Sequence, residues 1–180
     1  AVGPAKGLHL ANIYGQAFPA NYTETIDSAE AVSDIELMES VAANDAVMLN
    51  LYRPAGANRN TLRFKVLHPM TPLPLSDVLP MLEDMGLKVI DELPNEVHLA
   101  NKAMPTIMIH DFGLVTRDGE NVSLDGVRDN FHEVFRRTWE GEMESDGFNA
   151  LVLSAGLGWR EITVLRAYAK YLRQTNAPFS

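Results

Sequence analysis

Two short runs, Val47 to Leu51 and Leu62 to Val66, carry an apolar side chain at every second position, and the turn-rich Pro54-Ala55-Gly56-Ala57-Asn58 lies between them. Successive side chains of a strand point to opposite faces, so this pattern predicts a β-hairpin with two apolar rows. Those rows need a cover, and the next stretch of sequence supplies one. Ser76 reads as the N-cap of a helix over 75–85, Asp77 complements its dipole, and Leu75, Val78, Leu79 and Leu82 form one stripe. Pro80 is accommodated within the first turn, where its missing N–H has no intrahelical partner, and Gly86 offers a left-handed C-terminal cap.

Residues 87–92 and 96–99 predict a strand interrupted at Leu93-Pro94-Asn95, and 106–115 a further strand with Ile107 and Ile109 on one face. The order is ββαββ. Upstream, Ala31, Ile35, Met38 and Ala42 recur at helical spacing, with Asn44-Asp45 as a break. The first twenty residues, rich in Gly, Ala and Pro, show no sustained period and read as a linker or a segment that packs on something else. Downstream, Ser123 reads as the cap of a helix lined by Leu124, Val127, Phe131, Val134 and Phe135, with Arg136 and Arg137 at its C-terminal end. Helices over 146–155 and 159–174 follow. On the last, the polar stripe Arg160, Thr163, Arg166, Lys170 and Arg173 opposes a broad apolar face of Ile162, Leu165, Tyr168, Ala169 and Leu172. The fold class is α+β: a sandwich of an antiparallel sheet with helices, then a helical segment. The expected division is a linker and helix over 1–45, the α+β domain over 46–120, and the helical segment over 121–180.

The chain has 180 residues, a net charge of -9 and no cysteine. Its length supplies a hydrophobic core without special staples, and the missing cysteine removes disulfides, thiolate catalysis and Cys-ligated zinc. The acidic balance argues against a nucleic-acid surface, which needs clustered Lys and Arg. No apolar run approaches a membrane span and no signal-peptide pattern opens the chain, so a soluble, cytoplasmic protein is expected. Within residues 121–180 seven basic and eight acidic side chains nearly cancel: alternating Glu140, Glu142, Glu144 and Asp146 precede the basic helix, as two solvated faces or as surfaces that meet. The end of the chain at Pro178-Phe179-Ser180, without a terminal tail, reads as a cut through a longer protein.

Asp111-Phe112-Gly113 spells the magnesium triplet of kinases but lacks every companion motif of that fold, so it reads as a strand ending in a turn. Gly156-Leu157-Gly158 opens like a dinucleotide-binding loop, yet Glu161 stands where the third glycine belongs and would repel a phosphate, which favours a helix-loop-helix. Of five histidines none shows metal-ligand spacing. His110 beside Asp111 is the best acid-base pair on offer, although neighbours on a strand point to opposite faces. No convincing active site emerges.

Several long segments in one register resemble the large bacterial NAD-specific glutamate dehydrogenases: Ala17-Phe18-Pro19-Ala20-Asn21-Tyr22, Pro72 to Glu83, Ile109-His110-Asp111-Phe112-Gly113-Leu114, Trp139-Glu140-Gly141-Glu142, Asp146 to Leu153, Gly156 to Glu161, Leu165 to Leu172 and Pro178-Phe179-Ser180. The resemblance implies a fragment of the N-terminal regulatory half, an ACT-type domain with the helices that lead toward a catalytic half. It implies a parent that deaminates L-glutamate to 2-oxoglutarate and ammonia with NAD, while the fragment holds no catalytic, NAD-binding or metal residue. It further implies a homo-oligomer that contacts the rest of its own polypeptide and takes an amino-acid effector, without nucleic acid or membrane as partner. By analogy with ACT domains, Ser76 and Asp77 at the mouth of the 75–85 helix are the effector candidates; Arg166 and Lys170, on the basic stripe of the last helix, are the interdomain docking candidates. A purely structural module without a ligand is the alternative. The ββαββ order departs from the βαββαβ usual in an ACT domain.

Overall fold

The structure, a computed structural model, describes residues 4–44, 46–69, 73–99 and 106–175. Asp45 of the expected break and the closing Pro178-Phe179-Ser180 lie outside the described residues. The elements are α1 (Pro4–Tyr14), α2 (Ala20–Thr25), α3 (Ser28–Asn44), β1 (Met48–Tyr52), β2 (Thr61–Pro69), α4 (Leu75–Asp84), β3 (Leu87–Val97), β4 (Ile107–Thr116), α5 (Arg128–Trp139), a 3₁₀ turn (Gly147–Ala150), α6 (Leu151–Ser154) and α7 (Trp159–Gln174). The strands form one antiparallel sheet in the order β1-β2-β4-β3.

This order resolves the departure from βαββαβ. With α5 included the domain reads ββαββα, and moving β1 to the end gives βαββαβ. In that permuted count the sheet reads fourth, first, third, second strand, the split arrangement of ferredoxin-like folds. β2, α4 and β3 then form the split unit, with β4 inserted between the two strands.

Four local expectations change. β3 is continuous through Pro94, because it is the edge strand and a proline there leaves no ladder bond unmade. α4 begins at Leu75, so Pro74 rather than Ser76 is its N-cap. The same shift puts Pro80 in the second turn, where it removes the amide that would bond the Ser76 carbonyl. α5 begins at Arg128 instead of following a Ser123 cap, since Gly126 adopts φ 80° and no right-handed helix passes through that conformation. Gly86, in contrast, takes the left-handed position after α4 as its sequence predicts, with φ 85°.

By packing, the chain divides into two compact units, one of Ala1–Asn50, Phe64–Pro72 and Glu92–Phe112, the other of Leu51–Arg63, Leu73–Asp91 and Gly113–Ser180. In the first, Leu10, Tyr14, Ala17 and Tyr22 pack with Met38 and Val41 of α3 and with Leu67, Val97, Ile107 and Ile109 of the sheet. The opening segment, expected as linker, is thus helical and packs on its own chain. In the second, α4 and α5 lie against each other, burying Val78, Met81 and Leu82 on one and Phe131, Val134 and Phe135 on the other. Each large apolar side chain buried this way contributes roughly 1.5–3 kcal/mol.

Candidate functional site

A fully buried polar group lies in the first unit. Lys65 points from β2 toward α3 with its side chain 0% exposed, and its ammonium donates to Glu30 Oε1 at 2.5 Å and Asp34 Oδ2 at 2.6 Å. The Tyr22 hydroxyl donates to the same Asp34 oxygen at 2.6 Å. Burial raises the Asp34 carboxyl above the usual carboxylate range, and Lys65 and Tyr22 draw it partway back. Burial likewise pushes the Tyr22 hydroxyl upward, with the Asp34 charge adding to it. A lysine and a carboxylate both hidden from water are tolerated only as a hydrogen-bonded set. The set ties α2, α3 and β2 together, and nothing in its geometry exposes a reactive atom.

His110, the histidine that sequence offers for acid-base chemistry, is also internal. His110 Nδ1 lies 2.8 Å from Glu92 Oε1, and its ring stacks on His68 with centroids 5.2 Å apart. His68 Nδ1 faces the Pro69 carbonyl at 3.1 Å. Burial, with His110 beside it, holds His68 below the ordinary imidazole value. His110 thus pairs with Glu92, and its sequence neighbour Asp111 takes the opposite face of β4. The remainder of the triplet is structural. Phe112 is fully buried, and a Cβ on Gly113 would stand 2.6 Å from the Asp91 carboxylate, which reaches Arg63 at 3.3 Å.

In the second unit the alternating acids meet the basic residues around them. Glu140 pairs with Arg136 at 2.5 Å, Glu142 with Arg137 at 2.6 Å, Glu144 with Lys170 at 2.6 Å, and Asp146 with Arg166 at 2.8 Å. The Arg137 guanidinium also lies 3.8 Å over the Trp159 ring. Arg166 is the centre of this arrangement at 4% exposure. It grips Asp146 through Nε and Nη2, and Nη2 also donates to Asn149 Oδ1 at 2.5 Å. The comb of acids therefore fastens α5 and the 3₁₀ turn to α7, and the positions expected to dock other domains, Arg166 and Lys170, are engaged within their own chain. Glu161, which spoiled the dinucleotide reading, accepts the Gly158 amide at 2.8 Å and caps α7.

The orientation of α7 reverses the amphipathic expectation. Arg166 of the polar stripe is buried, whereas Val164, Leu165, Tyr168, Tyr171 and Leu172 are between 41% and 65% exposed. Ile162 alone of the expected apolar face is fully buried. Ser76 and Asp77 lie exposed in the first turn of α4, with the Ser76 hydroxyl donating to Asp77 Oδ1 at 3.1 Å. A cavity that sequence did not indicate, about 310 Å³, opens among Thr116, Asp118, Glu120, Asn121, Ala150 and Ser154. Its two acids come from a loop with no periodic signal. Among the described residues no group of three or more His, Asp or Glu side chains is arranged to hold a metal, and no helix is long and apolar enough to cross a membrane.

A permuted ferredoxin-like sheet, with helices bolted on by internal ion pairs, defines the class: an ACT-type domain between helical motifs. Family models agree. Residues 46–127 match "Glutamate dehydrogenase, ACT3 domain", 143–180 match helical motif 3 and 1–41 match helical motif 2 of the same enzymes. The chain is 39% identical over 165 residues to a Halomonas elongata NAD-specific glutamate dehydrogenase, 92% of this chain and 10% of that protein. It is 35% identical over 178 residues to the Pseudomonas aeruginosa protein of that name, 99% of this chain and 11% of the relative. The Mycobacterium tuberculosis protein of that name is 31% identical over 185 residues, again 11% of its length. The chain belongs to the NAD-specific glutamate dehydrogenase family, as a segment spanning about a tenth of its curated relatives.

Proposed function

We propose that this chain is a noncatalytic regulatory and assembly segment of an NAD-specific glutamate dehydrogenase, whose full-length form converts L-glutamate, NAD and water to 2-oxoglutarate, ammonia and NADH. The observation that carries this reading is how the chain spends its charged groups. Lys65, Arg166 and His110, the residues chemically suited to catalysis or binding, are each buried in an internal pairing, while the face left open on α7 is apolar. A segment built this way positions neighbouring structure. NAD and substrate belong to the remainder of the enzyme, and the cytoplasm is its place. The test is direct: the isolated chain, supplied with glutamate and NAD, yields no NADH. Steady production that scales with the chain would overturn the proposal.

The finer part of the proposal is that an amino-acid effector binds at Ser76 and Asp77. Both are exposed at the helix entrance, where an Asp carboxylate suits an amino group. Calorimetry with a panel of amino acids on the folded chain checks it. Heat that vanishes in Ser76→Ala with Asp77→Asn supports the effector site. Silence across the panel leaves the purely structural module, which binds no ligand.

A further inference from the structure

We infer that the stacked His68 and His110 form an acid-sensitive latch in the sheet: the folded pair accepts one proton, opposite Glu92, and a second proton parts β2 from β4. This adds a regulatory element to the assembly role and does not depend on it. His68 near the end of β2, His110 on β4 and Glu92 on β3 stand on three neighbouring strands, so the imidazole pair spans the joint between β2 and β4. The ring centres are 5.2 Å apart and the planes are inclined by 5°. Both residues are buried, at 4% and 8% exposure. The hydrogen bonds fix where the protons sit. A backbone carbonyl and a carboxylate only accept, so Nδ1 of His68 donates to the Pro69 carbonyl at 3.1 Å and Nδ1 of His110 to Glu92 Oε1 at 2.8 Å. Each neutral ring then presents a bare Nε2, and both Nε2 atoms are buried without a hydrogen-bond partner. A proton is the one ligand such a nitrogen can take without a cavity to receive it.

The surrounding charges set the limit at one. Among the described residues of this unit, Glu92 is the carboxylate that meets the pair, through His110. The other charges nearby are committed elsewhere. Lys65 of β2 reaches Glu30 and Asp34 of α3, Asp111 takes the opposite face of β4, and Glu96 of β3 lies 3.6 Å from His98 in an exposed pair. The influences on His68 itself are its burial, the Pro69 carbonyl and His110. A second proton therefore sets two cations with ring centres 5.2 Å apart beside one carboxylate, each with a buried Nε2–H and nothing to accept it. Once the strands part, both rings meet water and take up protons at the ordinary imidazole value of about 6.5. The folded pair then lacks a proton that the open pair binds, so acid favours opening. The opening constant rises by up to tenfold per pH unit below about 6.5, while above that value neither form holds the extra proton and the latch stays shut.

The experiment follows the imidazole nitrogens of the folded chain by NMR as the pH falls from about 8 to about 5, and reads amide exchange on the same samples. The expected result is one proton on the pair while His68 stays neutral. The strand amides around His68 and His110 meanwhile lose protection, corrected for the intrinsic exchange rate, by about tenfold per pH unit. Two protons on a pair whose amides stay protected overturn the inference, and so does a folded pair that takes none. Two variants move the slope in opposite directions. His68→Phe keeps a ring in the stack and deletes the site of the second proton, so the slope loses one factor of ten per pH unit. Glu92→Gln removes the counter-charge, leaves the folded pair neutral and adds one factor of ten per unit. The contribution of His132 is common to the unaltered chain and both variants and drops out of the comparison. Equal slopes in all of them sink the proposal, and the proton count on the unaltered chain decides the matter if a variant does not fold.

Discussion

Lys65 and Lys170 each place an ammonium 2.6 Å from a carboxylate, yet the first pair has side chains 0% and 0% exposed and the second 53% and 58%. The distances are equal and the energies are not. In water an ion pair replaces good hydration with a modest attraction and is worth about 0–1 kcal/mol. Out of water, removing one member strands the other in a medium that cannot solvate it. The first unit therefore depends on a few hidden charges that fail together, and the second on many exposed ones that fail singly. Arg166 lies between these limits, buried itself but paired with an acid that still meets solvent.

The largest effect should follow from Lys65→Met, which leaves Asp34 and Glu30 facing each other with no cation. Urea unfolding should show a loss of about 3–5 kcal/mol. Adding Asp34→Leu should recover much of it, because an apolar pair needs no solvation. A loss below about 1 kcal/mol would break the contrast between the units.

The next test asks whether burial or the unit sets the energy. His132 Nε2 accepts the Leu51 amide at 2.9 Å, and burial lowers its pKa from 6.5 to about 4. The folded chain keeps this imidazole neutral where the unfolded chain takes up a proton. Stability should therefore fall as pH drops from about 6.5 to 4, by about 2–3 kcal/mol from this group, and the term should be flat below that window. Thermal melts across the range measure it, and His132→Gln should show a shallower slope. An unchanged slope would remove His132 as the cause.

A smaller loss, about 2 kcal/mol, is expected for Arg166→Ala. Arg166→Lys should restore little, since an ammonium cannot grip Asp146 through two parallel bonds. The smallest effect belongs to Lys170→Ala, within about 0.5 kcal/mol and smaller still in 1 M salt, where the Debye length is about 3 Å. A Lys170→Ala loss that matched Arg166→Ala would show the comb acting as a single unit.

What could be read from sequence follows the same division. The hairpin, α3, α4 with its C-terminal Gly86, and the span of α7 are legible because their periods are local. Lys65 is not legible as buried: on an alternating strand it reads as a solvent residue, and its partners lie 31 and 35 positions away on α3. The helices of the first 25 residues escape for a related reason. Leu10, Tyr14 and Ala17 acquire meaning only from the core they enter, and the Gly- and Pro-rich sequence around them offers no cap. α7 misleads because amphipathic reasoning assumes that apolar faces turn inward, whereas its apolar face is left outside by the grip of Arg166.

The permuted strand order carries one more consequence. Because the first strand was shifted to the front, the polypeptide enters the sheet at β1 and leaves through α5, and the His132 contact with Leu51 holds that entrance and exit side by side. A fold whose doorway in is also its doorway out can be spliced into a much longer chain like a cassette, without prising apart the sequences on either side of it.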